Sequence, residues 1–241
     1  MFSRRLDGDF AREVMAFGDH HMRYVTFMAA AAASLLSSAA YAATVPVVSY
    51  SMPNGDGQAS GGSFNYWDKK YTGSGATTTD GAPLTGGTGD LTDGVIASDF
   101  WYIVENSAGT GPYVGWLKPN PLITFNFIGS PSIGQIDIHM DNSGVGGVFA
   151  PAAIFVDGVS QSFTAPALGS IGMVSLTGLN LTGSSHTLQF QNMQGDWVFV
   201  SEVAFSTRGV PEPASWAMML GGFGVIGGAL RSRRRASVSF A

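Results

Sequence analysis

Between Thr44 and Gly209 no segment carries sustained helical periodicity or a helical start and stop pair, while short apolar runs recur between glycines and small polar clusters. That pattern confines the middle of the chain to β-structure. Ile123, Phe125 and Phe127 alternate with Thr124 and Asn126, and Ile136, Ile138 and Met140 alternate with Asp137 and His139, so each run predicts a half-buried strand. Ala153-Ile154-Phe155-Val156 meets Asp157-Gly158, a two-residue hairpin signal, and returns through Val159 to Phe163. Trp197 to Phe205 is apolar on both faces, which predicts a central strand. The Gly/Thr/Ser stretch 73–89 has almost no large apolar side chain and predicts a long flexible loop.

Composition narrows the function. The chain has no cysteine, which removes disulfides, thiolate metal sites and a cysteine nucleophile. Between Ala43 and Gly209 the cations are Lys69, Lys70, Lys118 and Arg208, against ten aspartates plus Glu105 and Glu202, a net charge of −8. Phosphate recognition needs a basic face, so nucleic acid is not a partner. A segment of about 165 residues is long enough for one domain with one core.

Both ends carry address-like patterns. Met22-Arg23, the apolar run Tyr24 to Leu36, and Ala40-Tyr41-Ala42 have the order of a signal peptide over 22–42, with cleavage between Ala42 and Ala43. Residues 1–21 mix charges without a useful period and read as an extension ahead of the true start. The exported domain is then 43–209. At the other end, Val210-Pro211-Glu212-Pro213 forms a rigid, accessible segment, because proline fixes φ and disfavours helix just before itself. The uncharged run Ala214–Leu230 follows, and as a helix it covers roughly 25 Å, a little short of a ~30 Å hydrocarbon core. Arg231, Arg233, Arg234 and Arg235 supply a positive-inside stop, leaving 236–241 as a short cytoplasmic tail.

This order, with Pro211, Glu212, Pro213, Trp216, Ala217, Met218 and Met219 in place before the arginines, resembles the PEP-CTERM sorting signal over 210–235. The resemblance implies export across the inner membrane, anchoring by the C-terminal helix as a transmembrane precursor, and an exosortase as processing partner. It also implies a link to extracellular polysaccharide and biofilm in the cell envelope. A plain permanent anchor is the alternative.

The domain itself resembles the galactose-binding-like, discoidin-type jelly roll, an all-β antiparallel sandwich, through Tyr71-Thr72-Gly73, Leu91-Thr92-Asp93-Gly94, Tyr113-Val114-Gly115-Trp116, Ile123 to Phe127, Ile136 to His139, Pro151 to Gly158 and Val200 to Val203. The family often carries a structural Ca²⁺. By position the resemblance implies Asp93 and Glu202 as carboxylate ligands, Ser98 as a hydroxyl ligand, and the carbonyls of Asp90 and Ser201 as helpers, in keeping with calcium's preference for six to eight oxygens. Read without the family, Asp93-Gly94 is equally an ordinary turn and Glu202 an edge carboxylate.

A saccharide site needs an aromatic platform with convergent polar groups. Tyr66 and Trp67, beside Asp68 and Lys69, read as exposed candidates, and His139 stands on the polar face of a strand; Trp101 and Trp197 read as interior. No Gly-x-Ser-x-Gly elbow is present, and His139 and His186 are the only histidines of the exported domain. The sequence therefore points to a non-enzyme that binds carbohydrate or builds the exopolysaccharide matrix. The alternatives are an anchored structural or adhesive β-protein and, third, a secreted hydrolase.

Overall fold

The computed structural model describes residues 42–57, 62–117, 120–191, 197–208 and 213–235, and in the last segment the side chains of 219–228, 230 and 231. Residues 1–41 with Ala40, the junction residues Val210, Pro211 and Glu212, and the tail 236–241 lie outside this description, as do the side chains of Trp216, Ala217, Met218 and Arg233 to Arg235. Ala42–Gly209 is one compact unit, separate from the C-terminal helix.

Among the described residues ten strands build the domain: β1 (Val47–Pro53), β2 (Pro83–Gly87), β3 (Val114–Leu117), β4 (Leu122–Phe127), β5 (Ser132–Asn142), β6 (Ala153–Val156), β7 (Val159–Gln161), β8 (Ser170–Thr182), β9 (Ser185–Gln191) and β10 (Trp197–Ser206). They pair antiparallel in a six-stranded sheet of order β2-β1-β4-β9-β6-β7 and a four-stranded sheet of order β3-β10-β5-β8. The alternation in the sequence decides which side chains meet between the sheets. Ile123, Phe125 and Phe127 of β4 are buried, as are Ile136, Ile138 and Met140 of β5. Phe205 of β10 crosses to them, with its ring centroid 4.9 Å from Phe125 and 5.0 Å from Phe127. Burying each such side chain contributes about 1.5–3 kcal/mol, which makes this seam a main source of the sandwich's stability.

The expected central strand is β10, flanked by β3 and β5. Its apolar character on both faces has a specific cause. Val198 and Val200 face the inter-sheet core, whereas Phe199 faces the opposite way into a second cluster with Tyr66, Ala97, Trp101, Tyr113 and Val148. The second cluster covers the outer side of β10 at Phe199, so this residue is buried on the face opposite Val198 and Val200. A bulge between Val200 and Glu202 then reverses the alternation, and Val203 and Phe205 return to the inter-sheet core. Glu202 is thereby turned away from the face shared by Val198 and Val200.

The β6–β7 hairpin turns at Asp157 (φ 48°) and Gly158 (φ 76°), two consecutive left-handed residues, as a type I′ turn requires. Asp157 secures the turn to β9: its Oδ1 accepts the Thr187 N–H at 2.7 Å and its Oδ2 lies 2.7 Å from His186 Nδ1.

Three expectations are corrected. The stretch 73–89 is not a flexible loop, since it contains β2 and a bridge between Ser74 and Thr85. Its order comes from groups that composition does not count. Thr72 and Ser74 donate backbone hydrogen bonds to Thr88 and Thr85 at 2.8 and 2.9 Å, Asn54 Nδ2 donates to the carbonyls of Ala76 and Thr79, and Leu84 is fully buried. Second, the domain does contain a helical turn, α1 (Trp101–Val104), too short for periodicity to reveal. Third, the C-terminal helix α2 (Pro213–Arg235) is present, but among the described residues no helix is long and apolar enough to cross a membrane. Its uncharged run is short and diluted by five glycines, Gly221, Gly222, Gly224, Gly227 and Gly228.

Candidate functional site

The second cluster borders an open cavity of about 340 Å³ lined by Tyr66, Trp101, Leu117, Gly146, Val148, Trp197 and Phe199. Each wall is fixed by a nearby element. Trp197 and Phe199 are residues i and i+2 of β10 and so share its outer face. Tyr66 is held against the edge strand β3, its carbonyl accepting the Gly115 N–H at 3.0 Å and its N–H donating to the Asp56 carbonyl at 3.1 Å. Gly115 is needed for this approach, because a Cβ there would stand 2.3 Å from Phe199 Cε1. Trp101 begins α1, and its backbone N–H donates to Asp141 Oδ2 at the end of β5, 2.9 Å away. Its indole Nε1 donates to the Val145 carbonyl at 3.2 Å, which ties Trp101 to the turn carrying Gly146 and Val148.

The rings meet at steep angles. Tyr66 lies 4.4 Å from Phe199, 5.1 Å from Trp197 at 73°, and 5.8 Å from Trp101 at 87°. Edge-to-face contacts of this kind are favourable and hold the walls rigid. No charged side chain is among the lining residues. Burial, followed by the Glu105 charge, pushes the Tyr66 phenol up, so it stays a neutral hydroxyl. The cavity can therefore receive a neutral molecule with an apolar face.

The three residues expected at a saccharide site do not converge. Tyr66 is buried rather than exposed, because it forms the floor of the aromatic cluster. Trp67 is half-buried and its Nε1 donates to Asp80 Oδ1 at 2.8 Å. His139 is half-buried on β5 and lines a different cavity of about 60 Å³ with Ala97, Tyr113 and Ser201; burial lowers its pKa, against the opposing charge of Asp137. Trp101 is buried as expected, whereas Trp197 is half-buried at the cavity wall. The sequence signal for the cavity was the outward pair Trp197 and Phe199 on a strand that had no other reason to be apolar on its outer face.

Part of the calcium set is engaged by the protein itself. Lys70 Nζ stands 2.8 Å from Asp90 Oδ1 and 3.0 Å from Asp93 Oδ2. Glu202 Oε2 accepts the Gly94 N–H at 3.0 Å, Ser201 Oγ accepts the Ala97 N–H at 3.2 Å, and Ser98 is exposed. Among the described residues no group of three or more His, Asp or Glu side chains is placed to hold a metal ion. Of the expected donors, the Asp93 carboxylate is the one that Lys70 engages; the Asp90 carboxylate, its other partner, was not in that set.

Several carboxyls nearby are pushed up by burial: Asp68 to about 7, Glu202 to about 7 with a further push from the Asp93 charge, and Glu105 to about 8 despite the Tyr113 N–H donated to it. None of them lines the aromatic cavity.

The family model for the discoidin domain-containing receptor 1/2 DS-like domain matches residues 46–207, and that for the PEP-CTERM protein-sorting motif matches residues 209–235. No curated protein matches the chain. Similar solved structures include CBM32 of AlyQ in complex with 4,5-unsaturated mannuronic acid, at 13% identity over 39% of this chain and 75% of that chain, with a TM-score of 0.28. A Streptococcus pneumoniae β-galactosidase BgaA structure aligns at 10% identity over 48% and 82%, TM-score 0.33. Chitosan-binding module 1 of a chitosanase/glucanase from Paenibacillus sp. IK-5 aligns at 10% over 38% and 75%, TM-score 0.25.

Proposed function

The chain belongs to the discoidin domain-containing receptor 1/2 DS-like domain family, and from that premise, together with its PEP-CTERM sorting motif, we propose that it is an exported, non-catalytic protein whose sandwich binds saccharide in the aromatic cavity. The cavity walled by Tyr66, Trp101, Trp197 and Phe199 is the observation that carries this reading. Sugar rings present an apolar face of C–H groups, and rigid aromatic walls bury that face at little cost in side-chain entropy. The uncharged lining favours a neutral sugar ring. Sorting by an exosortase-type enzyme would deliver the domain to the envelope or the exopolysaccharide matrix, where saccharide is at hand.

A hydrolase would need two carboxylates flanking the bound bond. Asp68, Glu105 and Glu202, whose carboxyls burial pushes up, do not line the cavity.

The test is retention of the 42–209 unit on a panel of immobilised glycans. Wild type is retained on at least one neutral glycan, and Trp197→Ala weakens that binding by about tenfold, equal to about 1.4 kcal/mol. Absence of retention on every glycan overturns the reading in favour of an anchored structural or adhesive protein.

A further inference from the structure

We propose that Lys70 supplies from within the chain the positive charge that a bound cation would otherwise bring to the Asp90–Asp93 loop, so that this sandwich holds the loop without a metal. The ammonium bridges the two carboxylates, at 2.8 Å from Asp90 Oδ1 and 3.0 Å from Asp93 Oδ2. These partners are not a solvated surface pair: the Asp90 side chain is 1% exposed, while the Lys70 side chain is 48% exposed. A long aliphatic stem thus carries its charge from the surface onto a buried anion.

The need for that charge is visible behind Asp90. Asp68 is fully buried beside it, its Oδ1 accepting the Asp90 N–H at 3.0 Å and its Oδ2 accepting the Tyr50 hydroxyl. Two acidic side chains are therefore packed against one another out of water, and an anion so placed requires a counter-charge. Lys70 provides it, and among the described residues of the 42–209 unit the other lysine and arginine are engaged elsewhere: Lys69 Nζ donates to the Ala108 carbonyl and Arg208 to Asn180 Oδ1.

The same ion pair has a mechanical role. It fastens the turn at Lys70 to the loop that continues through Gly94 and Ala97, where Glu202 and Ser201 hold it to β10. A Ca²⁺ here would have to gather six to eight oxygens at about 2.3–2.6 Å, the Asp93 carboxylate among them, while an ammonium already sits 3.0 Å from Asp93 Oδ2. The two cations exclude each other.

The test is thermal unfolding of the purified full chain, with direct calcium titration by calorimetry beside it. Wild type is expected to melt at the same temperature, within about 1 °C, in millimolar CaCl₂ and in chelator, and to show no binding heat. Lys70→Gln is expected to melt roughly 5 °C lower or more and to regain part of the loss in CaCl₂, since its two carboxylates then face no cation. Stoichiometric calcium binding by wild type overturns the proposal, and so does a Lys70→Gln variant that melts like wild type. Should Lys70→Gln fail to fold, Lys70→Arg decides the stability arm: it keeps the charge, so it should fold and remain calcium-insensitive, and a calcium-dependent melting temperature in that variant contradicts the proposal.

Discussion

Asp141 and Trp101 are joined by a hydrogen bond from the Trp101 backbone N–H to Asp141 Oδ2, 2.9 Å long and buried. The other oxygen of the same carboxylate accepts the Ser143 N–H at 2.6 Å. One side chain at the end of β5 thus fixes both α1, which presents Trp101, and the turn that leads to Gly146 and Val148. Two walls of the cavity depend on it.

Asp141→Ala should therefore leave the Trp101 N–H unpaired and lower stability by about 1–3 kcal/mol, with loss of saccharide binding. Asp141→Asn keeps an acceptor oxygen and should retain more of both. Melting and glycan retention measured on the two variants check this, and equal behaviour of Asp141→Ala and wild type would dissociate the bond from the cavity.

Gly115 and Phe199 make the second prediction. A methyl group at Gly115 would fall 2.3 Å from Phe199 Cε1 and 3.0 Å from Tyr66 Cβ. Overpacking at such a site costs typically about 1–3 kcal/mol, and here it also displaces two cavity rings. Gly115→Ala should lower the melting temperature by several degrees and weaken binding together.

Burial pushes the Glu105 carboxyl up to about 8, from an ordinary value of 4.5. The neutral form is favoured in the folded state, so its stabilising effect is complete below pH 4.5 and is lost as the pH rises through about 8. The melting temperature should fall between about pH 4.5 and pH 8 and level off above that, and Glu105→Gln should flatten the decline. The comparison is two pH–melting curves, and parallel curves would contradict the assignment. Asp68 and Glu202, both pushed up to about 7, add to the slope on the same side and remain in the variant.

Asp157 runs the other way. Burial alone would raise its carboxyl, but the Thr187 N–H and His186 outweigh that and hold it below 3.8. Its contribution is present above pH 3.8 and disappears as the pH falls through the lowered value. Asn tolerates the left-handed conformation found at this position, so Asp157→Asn isolates the charge from the turn geometry. The variant should be less stable than wild type at neutral pH and converge with it in strong acid.

The sandwich was legible because alternation is read over several residues at once: Ile123, Phe125 and Phe127, or Ile136, Ile138 and Met140, cannot face one way except in a strand. The hairpin at Asp157-Gly158 was legible because its backbone demands few residue types. What escaped depended on contacts distant in sequence. The order of 73–89 comes from hydrogen bonds to Asn54 and Thr72, the turn of Glu202 away from the core comes from a bulge, and the burial of Tyr66 comes from Phe199, more than a hundred residues along the chain. The cavity was half visible in the doubly apolar β10, but which aromatics would meet there was not. Lys70 carried no signal beyond its charge, since nothing local places it on Asp90 and Asp93.

Entry of saccharide into the aromatic cavity is read from the indole N–H resonances of the 42–209 unit. During titration with the glycan that retains the protein, the Trp197 and Trp101 signals should shift saturably. Trp116, fully buried in the inter-sheet core with its Nε1 bonded to the Pro53 carbonyl at 2.9 Å, should not move. Saturable binding that leaves Trp197 and Trp101 unshifted would place the ligand elsewhere on the sandwich and contradict the account.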